Sequence, residues 1–311
     1  MTPFQLEGLI AATHTPFNAD GSLNLDAVES QATHLARHGI RHAFIAGSTG
    51  EWSSLTAEER RLLASRWTDV TRHTPLDVIV HVGANCLEES AALAAHAQSA
   101  GAVAVSALAP SYYKPRDVDT LIACCAPIAA AAPRLPFYYY DIPAMTGVSL
   151  SMPEFLERGT RRIPTLAGLK YTSLDPVMLQ DCLQHESMRI AWGVDEALLA
   201  ALALGVRSAV GSTYNFAAPL AHKAWQAFNA GNWPAARAAQ LRIVRLVQTL
   251  ARYGYLPAAK VVMQRLGVDA GPTRLPLPPL PPARINALEQ DLDRIGFWSD
   301  AITPAPHAVT P

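Results

Sequence analysis

The sequence predicts an α/β protein, a (β/α)8 TIM barrel with additional C-terminal helices. Three observations carry this reading. Short apolar runs alternate with longer amphipathic stretches from residue 8 to about residue 230, the pattern of repeated strand–helix units around a parallel sheet. Eight of those runs have strand length, and eight units are what such a barrel needs. The chain of 311 residues, half of them apolar, suits one large domain with a sizeable core.

The strands are read at 8–15, 42–46, 77–82, 102–108, 137–140, 166–171, 190–193 and 208–211. Helical spacing fills the intervals at 25–38, 57–72, 87–99, 118–131, 176–184 and 196–203. Beyond the eighth strand, 219–230, 234–253 and 257–266 are apolar at helical spacing with proline near their starts, more helix than a barrel requires. The run Pro272-Thr273-Arg274-Leu275-Pro276-Leu277-Pro278-Pro279-Leu280-Pro281-Pro282 can be neither regular helix nor inner strand. It is expected to cross the surface extended, as a structural connector rather than a polyproline ligand, before a last helix at 283–295. The organisation that results is a barrel over 1–230, a helical extension over 231–298 packed on it as the same unit, and a flexible tail over 299–311.

A formal net charge of −1, without blocks of like charge, argues against nucleic acid or a membrane surface as partner and leaves a small neutral or anionic ligand open. Cys86, Cys124, Cys125 and Cys182 form no C-x-x-C pair and are read as reduced core thiols of a cytoplasmic protein. No apolar stretch reaches the ~18 residues of a spanning helix, and the first residues lack a secretory leader pattern, so a soluble protein without export is expected.

Only four lysines occur, against twenty-one arginines, and Lys170 ends the apolar sixth run. An ammonium on a buried strand is desolvated, its pKa falls, and the neutral amine can attack a carbonyl. A strand-end lysine that snorkels to solvent or pairs with a carboxylate is the other reading. The second strand runs into Gly47-Ser48-Thr49-Gly50-Glu51, where backbone N–H groups and the Ser48 and Thr49 hydroxyls could converge on a carboxylate; an ordinary tight turn is the alternative. No dinucleotide or nucleoside-triphosphate motif is present. Tyr140, at the end of the fifth strand, would face the same mouth as Lys170 and could shuttle a proton, or simply be one of three buried tyrosines. Asp195 and Glu196 follow the seventh strand, and Gly211-Ser212-Thr213 ends the eighth. Paired carboxylates suit a polyhydroxylated ligand, and equally suit a helix N-terminus. His34 and His38 stand four apart, yet no Glu or Cys completes a metal site, so they are read as a solvated helix face and no metal is expected.

Taken together, Gly47-Ser48-Thr49-Gly50-Glu51, Tyr140-Asp141-Ile142-Pro143-Ala144-Met145-Thr146-Gly147, Gly168-Leu169-Lys170-Tyr171-Thr172-Ser173, Gly193-Val194-Asp195-Glu196 and Gly211-Ser212-Thr213-Tyr214-Asn215 resemble the N-acetylneuraminate lyase branch of the dihydrodipicolinate synthase family. The likeness runs in order over roughly residues 8 to 296 and includes the Gly271-to-Leu277 connector, which looks like that of the animal-type lyases. It implies a homotetrameric barrel and a metal-free class I aldolase whose only covalent group is a Schiff base on Lys170. By position, Tyr140 would transfer the proton and Ser48 with Thr49 would hold the 2-keto-acid carboxylate. Tyr112 would enter a neighbouring subunit's site to complete a hydroxyl relay. Thr172, Gly193, Asp195, Glu196 and Ser212 would hold the sugar chain. The implied reaction cleaves N-acetylneuraminate to pyruvate and N-acetylmannosamine.

Two positions depart from the family. Met145 stands where dihydrodipicolinate synthases carry an arginine for the aldehyde substrate's carboxylate, which counts against that condensation. Asp141 stands where the lyase branch has Asn or His, which bears on loop geometry and substrate preference. An aldolase or dehydratase for another 2-keto-3-deoxy sugar acid would share Lys170 and Tyr140. A non-catalytic keto-acid-binding barrel would have no need to keep Lys170, Tyr140 and Tyr112 together.

Overall fold

The computed structural model describes residues 6–301. Eight parallel strands close in sequence order: β1 (Gly8–Ala12), β2 (His42–Ile45), β3 (Asp77–His81), β4 (Ala104–Leu108), β5 (Phe137–Asp141), β6 (Leu166–Tyr171), β7 (Arg189–Trp192) and β8 (Ser208–Gly211), which pairs back to β1. Around them run α1 (Ala27–Arg37), α2 (Ala57–Thr71), α3 (Leu87–Ala100), α4 (Val118–Ala130), α5 (Pro143–Thr146), α6 (Met152–Gly159), α7 (Pro176–Leu183) and α8 (Leu198–Ala203). The chain ends in α9 (Ala218–Asn229), α10 (Trp233–Arg252), α11 (Tyr255–Arg265), α12 (Pro282–Arg294) and α13 (Phe297–Ala301). No helix among the described residues is long and apolar enough to cross a membrane.

Element ends follow local chemistry. Thr56 and Glu59 close a reciprocal capping box at α2, and the side chains of Asp117, Ser151 and Asp175 accept first-turn N–H groups at α4, α6 and α7. The first strand stops at Ala12 rather than residue 15, where the chain leaves the sheet towards Pro16, a residue without an N–H. The fourth begins at Ala104 rather than 102, because Gly101 ends α3 in the left-handed region and Ala102 donates back to the Ala97 carbonyl. The helix expected from Glu196 is first a 3-10 turn, Asp195–Ala197. The short helices α5 and α6 add to the helices that the spacing predicts, and α13 extends to Ala301, inside the stretch expected as tail; residues 302–311 lie outside the described residues.

Strand alternation sorts the core into two sets. Ile10, Phe44, Ile79, Tyr138, Tyr140 and Val210 form one buried cluster in the barrel lumen. Their neighbours Leu9, Ala43, Val80, Tyr139, Leu169 and Ala209 point outward and pack under the helices. A third cluster joins Phe216 and Ala217 to α10, α11, α12 and Phe297, seating the C-terminal helices on the barrel.

One irregularity matters for function. Phe137 pairs with Leu166, but Tyr138 pairs with Gly168, so Ala167 is an extra residue in β6. A one-residue offset exchanges the two faces of a strand. The bulge thereby turns Lys170 into the lumen, paired with Tyr140 on one side and Ala191 on the other. Gly168 makes it possible: its φ is 151°, and a Cβ there would lie 1.8 Å from the Arg189 carbonyl oxygen.

Three expectations need correction. Cys86 is exposed at the start of α3, so the four free cysteines are not all core thiols. His34 and His38 are not a solvated face: their rings lie 4.2 Å apart, and His34 Nε2 meets the Asn215 carbonyl at 2.9 Å, tying α1 to the turn after β8. The connector follows the surface only in part: residues 275–279 are exposed, but Thr273 is buried and Arg274 is anchored by hydrogen bonds to Gly21, Ser54 and Glu59.

Candidate active site

Lys170 reaches the C-terminal end of the lumen and is almost wholly buried. Its Nζ lies 4.0 Å from the centre of the Tyr140 ring and 4.1 Å from that of Phe44. Aromatic faces favour a cation, but they replace water poorly. Burial wins and pushes the Lys170 amine down to about 7, against the opposing attraction of Asp195. A substantial fraction of the amine is therefore neutral near pH 7, as a nucleophile requires.

Tyr140 Oη meets Ser48 Oγ at 3.3 Å. Burial pushes the phenol up to about 12 while the Ser48 contact opposes it, so the hydroxyl keeps its proton. Ser48 and Thr49 sit on a tight loop framed by Ala46 (φ 52°) and Glu51 (φ 53°), two non-glycine residues in the left-handed region. Strain of this kind persists where surroundings enforce it. At Ala46 the enforcement comes from His81, whose Nδ1–H donates to the Ala46 carbonyl at 2.8 Å and whose ring stands edge-on to Tyr140. Burial, then Arg60, hold the His81 imidazole far below its usual range, so it is neutral.

Across the mouth, Asp195 is buried and its Oδ2 accepts the Thr213 N–H at 2.9 Å. Burial pushes the Asp195 carboxyl up to about 6, opposed by the Thr213 hydrogen bonds and, more weakly, by Lys170. The carboxyl packs directly on Gly211, where a Cβ would come within 1.9 Å of Oδ1. Glu196 is exposed at the rim.

A cavity of about 240 Å³ brings Lys170, Tyr140, Thr49, Gly193, Asp195, Glu196 and Ser212 together. Ser48 borders a wider apolar groove of about 830 Å³ that opens beside it towards Met145 and the proline-rich connector. Thr172 is not in the cavity wall: its hydroxyl and its N–H both donate to the Asp141 carbonyl, and its methyl packs behind Gly193. Tyr112 lies away from the cavity on the loop after β4, 79% exposed and packed on Tyr113. The Asp141 side chain follows the outward face of β5, is buried, and does not line the cavity; burial pushes it up to about 7. Among the described residues, no group of three or more His, Cys, Asp or Glu side chains is arranged to hold a metal ion.

Two site residues escaped the sequence. Tyr255, on α11, lines the cavity and pairs its hydroxyl with Ser212 Oγ at 2.7 Å. His81 braces the loop and Tyr140 as described. Tyr255 had no signal beyond its place at a helix start, while His81 was visible as a polar residue closing the apolar run 77–81.

Comparison with known proteins gives the family. Residues 5–295 match the model of the dihydrodipicolinate synthetase family. The chain is 38% identical to N-acetylneuraminate lyase of Danio rerio, covering 93% of this chain and 96% of that one, and 36% identical to that of Homo sapiens, covering 95% and 94%. Among solved structures, Proteus mirabilis N-acetylneuraminate lyase superposes with a TM-score of 0.91 at 39% identity, covering 94% of this chain and all of that one (100%). A dihydrodipicolinate synthase from Cyanidioschyzon merolae superposes at 0.86 with 28% identity, covering 94% and 98%. The chain belongs to the dihydrodipicolinate synthetase family, in the branch of the N-acetylneuraminate lyases, which are carbon–carbon lyases.

Proposed function

We propose that this protein is a class I aldolase that cleaves N-acetylneuraminate to pyruvate and N-acetylmannosamine through a Schiff base on Lys170. The observation that carries the reading is the Lys170 amine, buried against Tyr140 and Phe44 in a cavity that Asp195 and Glu196, after the neighbouring strand β7, also line. The neutral amine adds to the C2 carbonyl, and loss of water leaves an iminium. Ser48 and Thr49 hold the adjoining carboxylate with hydroxyl hydrogen bonds. The iminium accepts the electron pair of the breaking C3–C4 bond as an enamine. Tyr140 takes the C4 hydroxyl proton as it passes its own to Ser48 Oγ, 3.3 Å away, and Ser48 passes its own to the carboxylate it holds; the proton returns by the same relay to C3 of the enamine, and water hydrolyses the iminium to release pyruvate and free the Lys170 amine. A phenol held protonated by burial works as a relay of this kind rather than as a free base. Asp195, Glu196, Gly193 and Ser212 receive the hydroxylated chain, and Thr172 contributes by holding strands five and six in register at the Asp141 carbonyl.

The relay extends to Tyr112 from a neighbouring copy in a homotetramer. Support comes from the exposed apolar side chains Tyr112, Tyr113, Met145, Leu174 and Val177, all on loops or first turns after β4, β5 and β6. The reaction needs no metal or separate cofactor, and the free thiols suit a cytoplasmic site of action. Met145 offers no charge to an aldehyde carboxylate, which disfavours dihydrodipicolinate-type condensation. Pyruvate release from N-acetylneuraminate and from 2-keto-3-deoxygluconate, compared under the same conditions, tests the reading. Faster release from N-acetylneuraminate is expected; release only from the other sugar acid would reassign the substrate.

A further inference from the structure

The loop that carries Ser48 and Thr49 ends on Glu51, and Glu51 is held by a group from the other end of the chain. Its side chain is buried, with Oε1 2.9 Å from Lys260 Nζ and Oε2 accepting the Arg274 N–H at 2.9 Å. Lys260 Nζ also donates to the Thr15 carbonyl at 2.8 Å and to the Pro272 carbonyl at 2.7 Å, so two hydrogen bonds fix it beside the carboxylate. Thr15 in turn donates its hydroxyl to the Gly50 carbonyl at 2.6 Å. A buried ion pair contributes little net stability against apolar replacement, but one whose members are also hydrogen-bonded to distant segments restricts the arrangement of its surroundings. Here the surroundings are a left-handed Glu51 backbone that relaxes readily if released. The same helix, α11, carries Tyr255 into the cavity wall, against Ser212 at the end of β8. One helix outside the barrel proper thus bears on the site at two points.

We infer that Lys260 is a positioning residue for keto-acid recognition: its ion pair with Glu51 fixes the loop so that Ser48 and Thr49 meet the substrate carboxylate while the carbonyl meets Lys170. This rests on the aldolase reading above. Lys260 touches no substrate, and its effect is confined to ligands that bear the carboxylate.

The double variant Glu51→Gln/Lys260→Met removes both buried charges together and avoids the unpaired carboxylate that Lys260→Met alone would leave. Glu51→Gln alone, which keeps an acceptor for the Arg274 N–H, is the second variant. Each is compared with the unaltered protein for borohydride trapping at Lys170 with pyruvate and with acetone, which lacks the carboxylate. A loop displaced by about an ångström should lower the pyruvate-to-acetone efficiency ratio by ~10-fold or more. The half-saturating pyruvate concentration should rise while the saturated trapping rate stays nearly constant. A general loosening would lower trapping of both ketones in proportion, and an unchanged ratio in either folded variant would overturn the inference. Absence of any pyruvate adduct in the unaltered protein would overturn the aldolase reading and this inference with it.

Discussion

Lys170 and Lys260 are both buried lysines, and their surroundings divide them. Lys260 meets a carboxylate and two carbonyls at hydrogen-bond distance, whereas Lys170 meets the faces of Tyr140 and Phe44. Burial lowers the basicity of both, but at Lys260 the Glu51 carboxylate works directly against it, and at Lys170 only the more distant Asp195 does. The first arrangement keeps an ammonium as a structural tie. The second leaves an amine of lowered basicity facing the cavity, at the expense of the folded state.

Replacing each lysine by methionine, which has similar volume and no charge, separates these roles. Lys170→Met should lower turnover by ~10⁴-fold or more, since the nucleophile is gone, and should raise stability by about 1 kcal/mol because an ill-solvated amine is removed. Steady-state pyruvate release and denaturant unfolding check both parts; a destabilised variant would mean that Lys170 is a tie like Lys260. Lys260→Met should cost ~3 kcal/mol, because Glu51 is left buried without its partner, and a midpoint unchanged in urea would refute the contrast.

Tyr140→Phe sharpens the catalytic half of the comparison. It leaves an aromatic face beside Lys170, so the pyruvate adduct should still form, while turnover drops by ~10²-fold through loss of the relay. Equal loss of adduct and turnover would place Tyr140 in Schiff-base formation instead.

The structure explains why part of this was legible beforehand. Eight strands follow from apolar runs, and Lys170, Tyr140 and Asp195 could be placed at strand ends, because a strand's periodicity is local. The α6 start is also local, as Ser151 three residues before Glu154. Other features are not local. The bulge at Ala167 depends on Gly168 meeting Arg189, and Tyr255 meets Ser212 only because α11 folds back over the mouth. The pairing of Glu51 with Lys260 joins distant segments that carry no complementary pattern. The family resemblance places Thr172 on the sugar chain, yet its hydroxyl donates to the Asp141 carbonyl.

A smaller effect follows from pH. The folded-state amine of Lys170 lies near 7 and the unfolded one near its ordinary 10.5. Between those values the unfolded chain binds the additional proton, so this group's contribution to stability rises with pH across the window. The stability advantage of Lys170→Met over the unaltered protein should therefore shrink from pH 7 to pH 9, measured by urea unfolding at both values. A gap that widened would mean the Lys170 amine is not depressed by folding.

The Lys170 amine is the proposed nucleophile. Borohydride reduction in the presence of pyruvate, followed by intact-mass measurement and peptide mapping, tests it most directly. One reduced pyruvate per chain, on the peptide containing Lys170 and absent from Lys170→Met, is the expected result. An adduct on Lys114, Lys223 or Lys260, or no adduct at all, would contradict it.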